Sequence, residues 1–138
     1  MLDPSNQAQA RAAERLRDEQ VAWLTTVRAD GQAQSSPVWF LWDGDTCLLY
    51  RQPDAQKVRN VAANPRVSLH LNDDGEGGDI VTLEGRATVE PGTPLADRVG
   101  GYLAKYRAAI DALGYEPGPF ARTYSTAIRV RPTRVRAW

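Results

Sequence analysis

Apolar and polar residues alternate with a period of two over much of this chain, and the period lengthens to three or four in only a few stretches. Val21, Trp23, Thr25 and Val27 share one face of a first predicted strand, ended by a turn at Asp30-Gly31. Residues 33–42 form a second strand and residues 46–51 a third, joined as a hairpin through Asp43-Gly44-Asp45. Val67, Leu69 and Leu71 alternate with Ser68, His70 and Asn72 in a fourth strand. In a fifth, Val81, Leu83, Ala87 and Val89 alternate with Thr82, Glu84, Arg86 and Thr88. A last strand turns Ile128 and Val130 inward and Arg129 and Arg131 outward. Helical spacing marks residues 8–19, which bring Leu16 to the core, and a longer helix carrying Leu95, Val99, Tyr102, Leu103, Tyr106, Ile110 and Leu113. Gly100-Gly101 fall inside that helix and weaken it. Shorter helices are expected near Phe120–Tyr124 and around Val58, Val61 and Ala62, the latter opened by Pro53 and Asp54 and stopped at Asn64-Pro65. Six strands with helices inserted at two places predict an α+β fold built on an antiparallel barrel. It is read as a single domain over residues 1–138, with residues 1–7 as a flexible tail.

The second strand breaks the alternation. Val38, Phe40 and Trp42 share one face and Pro37, Trp39 and Leu41 the other, so both faces are apolar. Pro37 cannot donate to a ladder, which puts it at a sheet edge or bulge. One face can fill the barrel; the other needs a cover. Dimerisation alone would supply it, and a dimer seam that also holds a flat aromatic ligand is the reading adopted here.

Length and composition narrow the class. With 138 residues there is enough chain for one core but not two. Seventeen basic residues balance seventeen acidic ones, so no global field recruits nucleic acid or an anionic membrane. Cys47 is the single cysteine, which excludes an internal disulfide and fits a reducing, cytoplasmic setting. No signal peptide or membrane-length apolar run is visible. His70 is the single histidine, so no His/Cys cluster of metal-ligating spacing exists and a Ser-His-Asp triad has no credible frame. No catalytic residue and no metal site is assigned.

The segment from Arg51 to Asn60 carries the most specific signal. A helix opened by Asp54 would place Lys57 where a capping box wants Glu or Gln, with Arg59 following and Arg51 just upstream. Cations at the positive end of a helix cost roughly 0.3–1 kcal/mol unless an anion joins them. Free N–H groups with basic side chains suit phosphate; a solvated basic face is the competing reading of the same residues. A phosphate site beside an aromatic strand, in a chain poor in catalytic side chains, suits a protein that borrows its chemistry from a cofactor.

Several of these segments carry a resemblance. Ser36-Pro37-Val38-Trp39-Phe40-Leu41, Asp43-Gly44, Tyr50-Arg51-Gln52-Pro53, Lys57-Val58-Arg59-Asn60 and Asn64-Pro65-Arg66-Val67 resemble the pyridoxamine-5′-phosphate-oxidase-like split-barrel family, as do Gly85-Arg86-Ala87 and the ending Pro132 to Trp138. Within it the chain is most similar to the actinobacterial branch that uses the deazaflavin coenzyme F-420. The resemblance covers residues 10–138 and is strongest in the Pro-Val-Trp-Phe strand and the Lys-x-Arg-Asn helix. It implies a six-stranded split barrel, a homodimer with cofactor at the seam, and an oxidoreductase that passes hydride to or from a small organic substrate. By position it implies Lys57 as phosphate ligand, Arg51 or Arg59 assisting, and Asn60 capping or orienting the site. It sets the backbone of Ser36, Pro37, Val38 and Trp39 against the ring, and Tyr50, Gln52 and Pro53 along the approach to the phosphate. Val58 lies within the same helical motif. Arg129 and Arg131 are outlying candidates for the coenzyme's acidic tail. FMN is the alternative cofactor, and a coenzyme carrier without turnover the non-catalytic alternative.

Overall fold

The computed structural model describes residues 2–138, so Met1, the first residue of the expected tail, lies outside the described residues. Of that tail, Leu2 packs against the main core and Asn6 caps α1 (Gln7–Asp18), its side chain accepting from the Gln9 N–H at 3.1 Å.

Seven strands form one antiparallel sheet, not the six expected. They are β1 (Ala22–Val27), β2 (Ala33–Val38), β3 (Leu41–Trp42), β4 (Cys47–Arg51), β5 (Arg66–His70), β6 (Val81–Val89) and β7 (Thr126–Ala137). Their order is β2-β1-β5-β6-β7-β4-β3. The extra strand comes from the predicted run 33–42, which breaks at Trp39-Phe40. Its first part pairs with β1 and its second with β4, so one stretch of chain supplies both edges of the curled sheet. The break satisfies its own backbone: the Phe40 N–H donates to Tyr106 Oη at 2.7 Å, and Lys105 Nζ donates to the Phe40 carbonyl at 2.8 Å. Pro37 sits on β2, an edge strand, as its missing N–H requires.

In β1 the barrel-facing residues are Ala22, Leu24 and Thr26, so the face read from Val21, Trp23, Thr25 and Val27 is the outer one. Val38, Phe40 and Trp42 fill the barrel with Leu24, Leu69, Leu83, Ile128 and Val130. A second core lies outside the barrel wall, beneath α3 (Gly100–Ala112) and α4 (Pro117–Thr123). Strand β4 separates the two: Cys47 and Leu49 face the barrel, while Leu48 and Tyr50 face the helices. The longer predicted helix is divided, with a 3₁₀ turn at Ala96–Arg98 before α3, and Gly100-Gly101 open α3 instead of weakening its middle. Trp39 and Leu41 pack against these helices, which provide the cover for the second apolar face of that strand. The fourth helix, α2 (Gln56–Ala63), has Ala55 as its N-cap, one residue later than the Asp54 expected there. Among the described residues, no helix is long and apolar enough to cross a membrane.

Candidate functional site

The site is assembled where β4 leaves the barrel and α2 begins. Ala55 gives α2 no side-chain cap, and no acidic residue lies in its first turn. This leaves its positive end uncompensated. In front of it is a polar cavity of about 390 Å³ lined by Gln34, Ser35, Ser36, Arg51, Lys57 and Asn60, among others. Around the end of β4 is a second, largely aromatic cavity of about 350 Å³, whose walls include Trp39, Tyr50, Tyr102, Phe120 and Tyr124. Arg51 lines both.

Two cations face the polar cavity, and neither pairs with a carboxylate among the described residues. Burial, with the Arg51 charge adding to it, pushes the Lys57 ammonium down to about 8. Arg51 Nε is buried without a hydrogen-bond partner among the described residues, and its guanidinium lies 5.9 Å from the Tyr124 ring centroid. A positively charged pocket with an unfilled donor has the chemistry of an anion site.

The aromatic cavity is walled by stacked rings. The Trp39 ring stacks on Tyr106 at 4.8 Å and on Phe120 at 5.7 Å, and Phe120 stacks on Tyr124 at 4.7 Å. Tyr50 donates to the Pro94 carbonyl at 2.6 Å, and burial raises its phenol to about 12. Burial also raises the phenols of Tyr102 and Tyr106. Leu113, at the rim, is 56% exposed.

The structure divides the residues singled out from sequence. Ser36, Arg51, Gln52, Lys57 and Asn60 line the polar cavity; Pro37, Val38, Trp39 and Tyr50 line the aromatic one, with Arg51 again. Pro53, Val58 and Arg59 line neither cavity. Pro53 lies exposed in the turn before α2, and Val58 packs against the barrel core because α2 turns that face inward. Arg59 lies back along its helix, donating to the Asp54 carbonyl at 2.5 Å and to Gln56 Oε1 at 2.6 Å. Arg129 and Arg131 line neither cavity, and both pair with Glu90 at 2.9 and 2.6 Å. His70 is exposed, stacks on Trp23 and lines neither cavity. Gln34, Thr26 and Gln56 were not singled out, nor were Phe120 and Tyr124 as site residues. Gln34 carried a readable signal, since it alternates into the same strand as Ser36. Phe120 and Tyr124 carried none, because their approach to β4 depends on how α4 packs.

Comparison with known proteins agrees with this architecture. The family model described as pyridoxamine 5′-phosphate oxidase matches residues 8–138. A conserved hypothetical protein from Mycobacterium tuberculosis is similar in structure, with a TM-score of 0.75 at 24% identity over 96% of this chain and 85% of that one. An F-420 reductase superposes with a TM-score of 0.64 at 30% identity, covering 89% of this chain and 94% of its own. The haem storage protein HutZ from Vibrio cholerae shares the fold at 16% identity, with a TM-score of 0.66 over 96% and 95% of the two chains. No curated protein matches. A match over nearly the whole chain, on a curled antiparallel sheet whose two edges come from one run of residues, shows that this protein belongs to the pyridoxamine 5′-phosphate oxidase family of split barrels.

Proposed function

We propose that this chain is an oxidoreductase that binds the deazaflavin coenzyme F-420 and acts on a small organic substrate. The observation that carries the reading is the polar cavity at the start of α2, where Arg51 and Lys57 face each other's charge and no carboxylate among the described residues pairs with either. A phosphate supplies the missing negative charge, accepts from Lys57 and Arg51, and meets the uncapped end of α2. When bound, a deazaflavin ring supplies hydride transfer. The backbone from Ser36 to Trp39 runs from the polar cavity into the aromatic one and would flank such a ring. The stacked walls of the aromatic cavity would then exclude water and orient a flat, apolar partner. Likeness to an F-420 reductase at 30% identity supports the deazaflavin over other ring systems. A second copy of the chain, cytoplasmic like the first, completes the site in this reading, and the exposed Leu113 at the cavity rim supports that contact.

Titrating the purified protein with F-420 and with FMN, followed by ring fluorescence, tests the cofactor. The expected result is saturable binding of F-420 at least roughly tenfold tighter than FMN, a preference worth about 1.4 kcal/mol. Tighter binding of FMN would assign the site to a flavin instead. Turnover is tested by following oxidation of the reduced coenzyme against a panel of activated alkenes; binding without oxidation across the panel would make the protein a carrier.

A further inference from the structure

The polar cavity is bordered by a chain of side-chain amides, and one end of that chain is fixed. Arg59 Nη2 donates to Gln56 Oε1 at 2.6 Å. Gln56 Nε2 donates to Asn60 Oδ1 at 2.8 Å. Asn60 Nδ2 donates to Thr26 Oγ1 at 2.9 Å and to Gln34 Oε1 at 3.0 Å. An amide can present either its oxygen or its nitrogen to a neighbour, and the neighbour's chemistry decides which. A guanidinium only donates. It therefore requires the Gln56 oxygen, and each following amide must point the same way. Asn60 is 2% exposed, so reversing it would set oxygen against oxygen in a buried place. The last member, Gln34, lines the cavity, and its Nε2 has no partner within the described residues.

We propose that Arg59 sets the direction of this relay and so makes Gln34 Nε2 a hydrogen-bond donor to the ligand of the polar cavity. The proposal rests on the anion-binding reading of that cavity. Arg59 is thereby a positioning residue: it does not line the cavity and reaches the ligand through Gln56, Asn60 and Gln34. The cavity then offers Lys57, Arg51 and Gln34 as donors, with the hydroxyls of Ser35 and Ser36 able to donate as well. Its ligand class is an acceptor-only group such as a phosphate. The two cations add positive charge to these donors, so an anion is favoured over a protonated amine.

Side-chain amide NMR of the full chain reads the relay directly, with the Gln34 pair assigned by its loss in Gln34→Met. In the free protein, the Gln34 N–H₂ should exchange with water at least roughly tenfold faster than the Gln56 N–H₂, which is held by Asn60. In Arg59→Met the two rates should converge, because either direction then satisfies the chain, and Arg59→Lys, another donor-only group, should restore the difference. Inorganic phosphate should shift the Gln34 N–H₂ signals and leave those of Gln56 in place. Faster exchange at Gln56 than at Gln34, or a ratio unmoved by Arg59→Met, overturns the relay. A phosphate response near Lys57 with none at Gln34 overturns the ligand contact alone. No phosphate response anywhere in the cavity overturns the anion reading, and the assigned ligand contact falls with it.

Discussion

Replacing Tyr106 by Phe removes one oxygen from the place where the crossing strand breaks, and its cost can be worked from the contacts. The hydroxyl accepts from the Phe40 N–H at 2.7 Å and lies 2.7 Å from the Gln20 carbonyl and 2.9 Å from that of Phe40. It has one proton to give. Lys105 already donates to the Phe40 carbonyl at 2.8 Å, which leaves the Gln20 carbonyl as the acceptor in need. Gln20 is exposed and water can replace the lost bond there; Phe40 is fully buried and its N–H would be orphaned. An unsatisfied buried donor costs about 1–3 kcal/mol. In a chain of this size that corresponds to a fall in Tm of roughly 3–15 °C. The assay is urea unfolding of parent and variant, with an unchanged slope confirming that the same surface is exposed. Tyr102→Phe is the control: Tyr102 is equally buried in the same cluster, yet its hydroxyl makes no hydrogen bond within the described residues, and its loss should stay within about 0.5 kcal/mol of the parent. A Tyr106→Phe variant as stable as that control would refute the claim that α3 holds the break between β2 and β3.

Other expectations follow from single residues. Gly85 sits at a bulge between β6 and β7, where a Cβ would lie 2.5 Å from the Arg131 carbonyl oxygen; Gly85→Ala should destabilise the protein by about 1–3 kcal/mol in the same urea assay. Glu90 is held well below its ordinary 4.5, at about 2, chiefly by the Arg129 hydrogen bond, with Arg131 and Thr93 adding to it. A carboxylate lowered in the folded state stabilises above its unfolded value, so that contribution should fade as pH drops from about 4.5 to about 2, and Glu90→Gln should flatten the stability profile across that window. Lys57 has the opposite dependence toward ligands: the ammonium that attracts an anion is present below about 8, so phosphate affinity should fall as pH rises from 7 to 10, with proton uptake on binding measurable by calorimetry in buffers of different ionisation heat.

The strands and turns were legible because their signals are local. Alternation gave Val67 and Leu69 inward and His70 outward, and Asp43-Gly44 marked a hairpin in which Gly44 takes a φ of 102°. The division of residues 33–42 was not legible, because both faces of that run are apolar and nothing within it says that Phe40 will bond to α3 rather than to a neighbouring strand. Nor does anything in that run say that α3 and α4 of the same chain will pack on Trp39 and Leu41. In the site, Lys57 and Arg51 could be placed from spacing, since both adjoin a strand-to-helix junction. Arg59 shared their charge and segment, but a helix turns neighbours two residues apart to different sides, and Arg59 found its partners in Asp54 and Gln56. The amide relay joins Thr26, Gln34 and Asn60 across three elements, and only the folded chain brings them together.

The grip of Lys57 on a phosphate is the point on which the functional account turns. Titration of F-420 against the parent and Lys57→Ala, with a urea melt to establish that the variant is folded, measures it. Loss of a charge-assisted hydrogen bond predicts binding weaker by about 1.5–3 kcal/mol, roughly ten- to 150-fold. Equal affinity for the two proteins, or no binding to either, would contradict it.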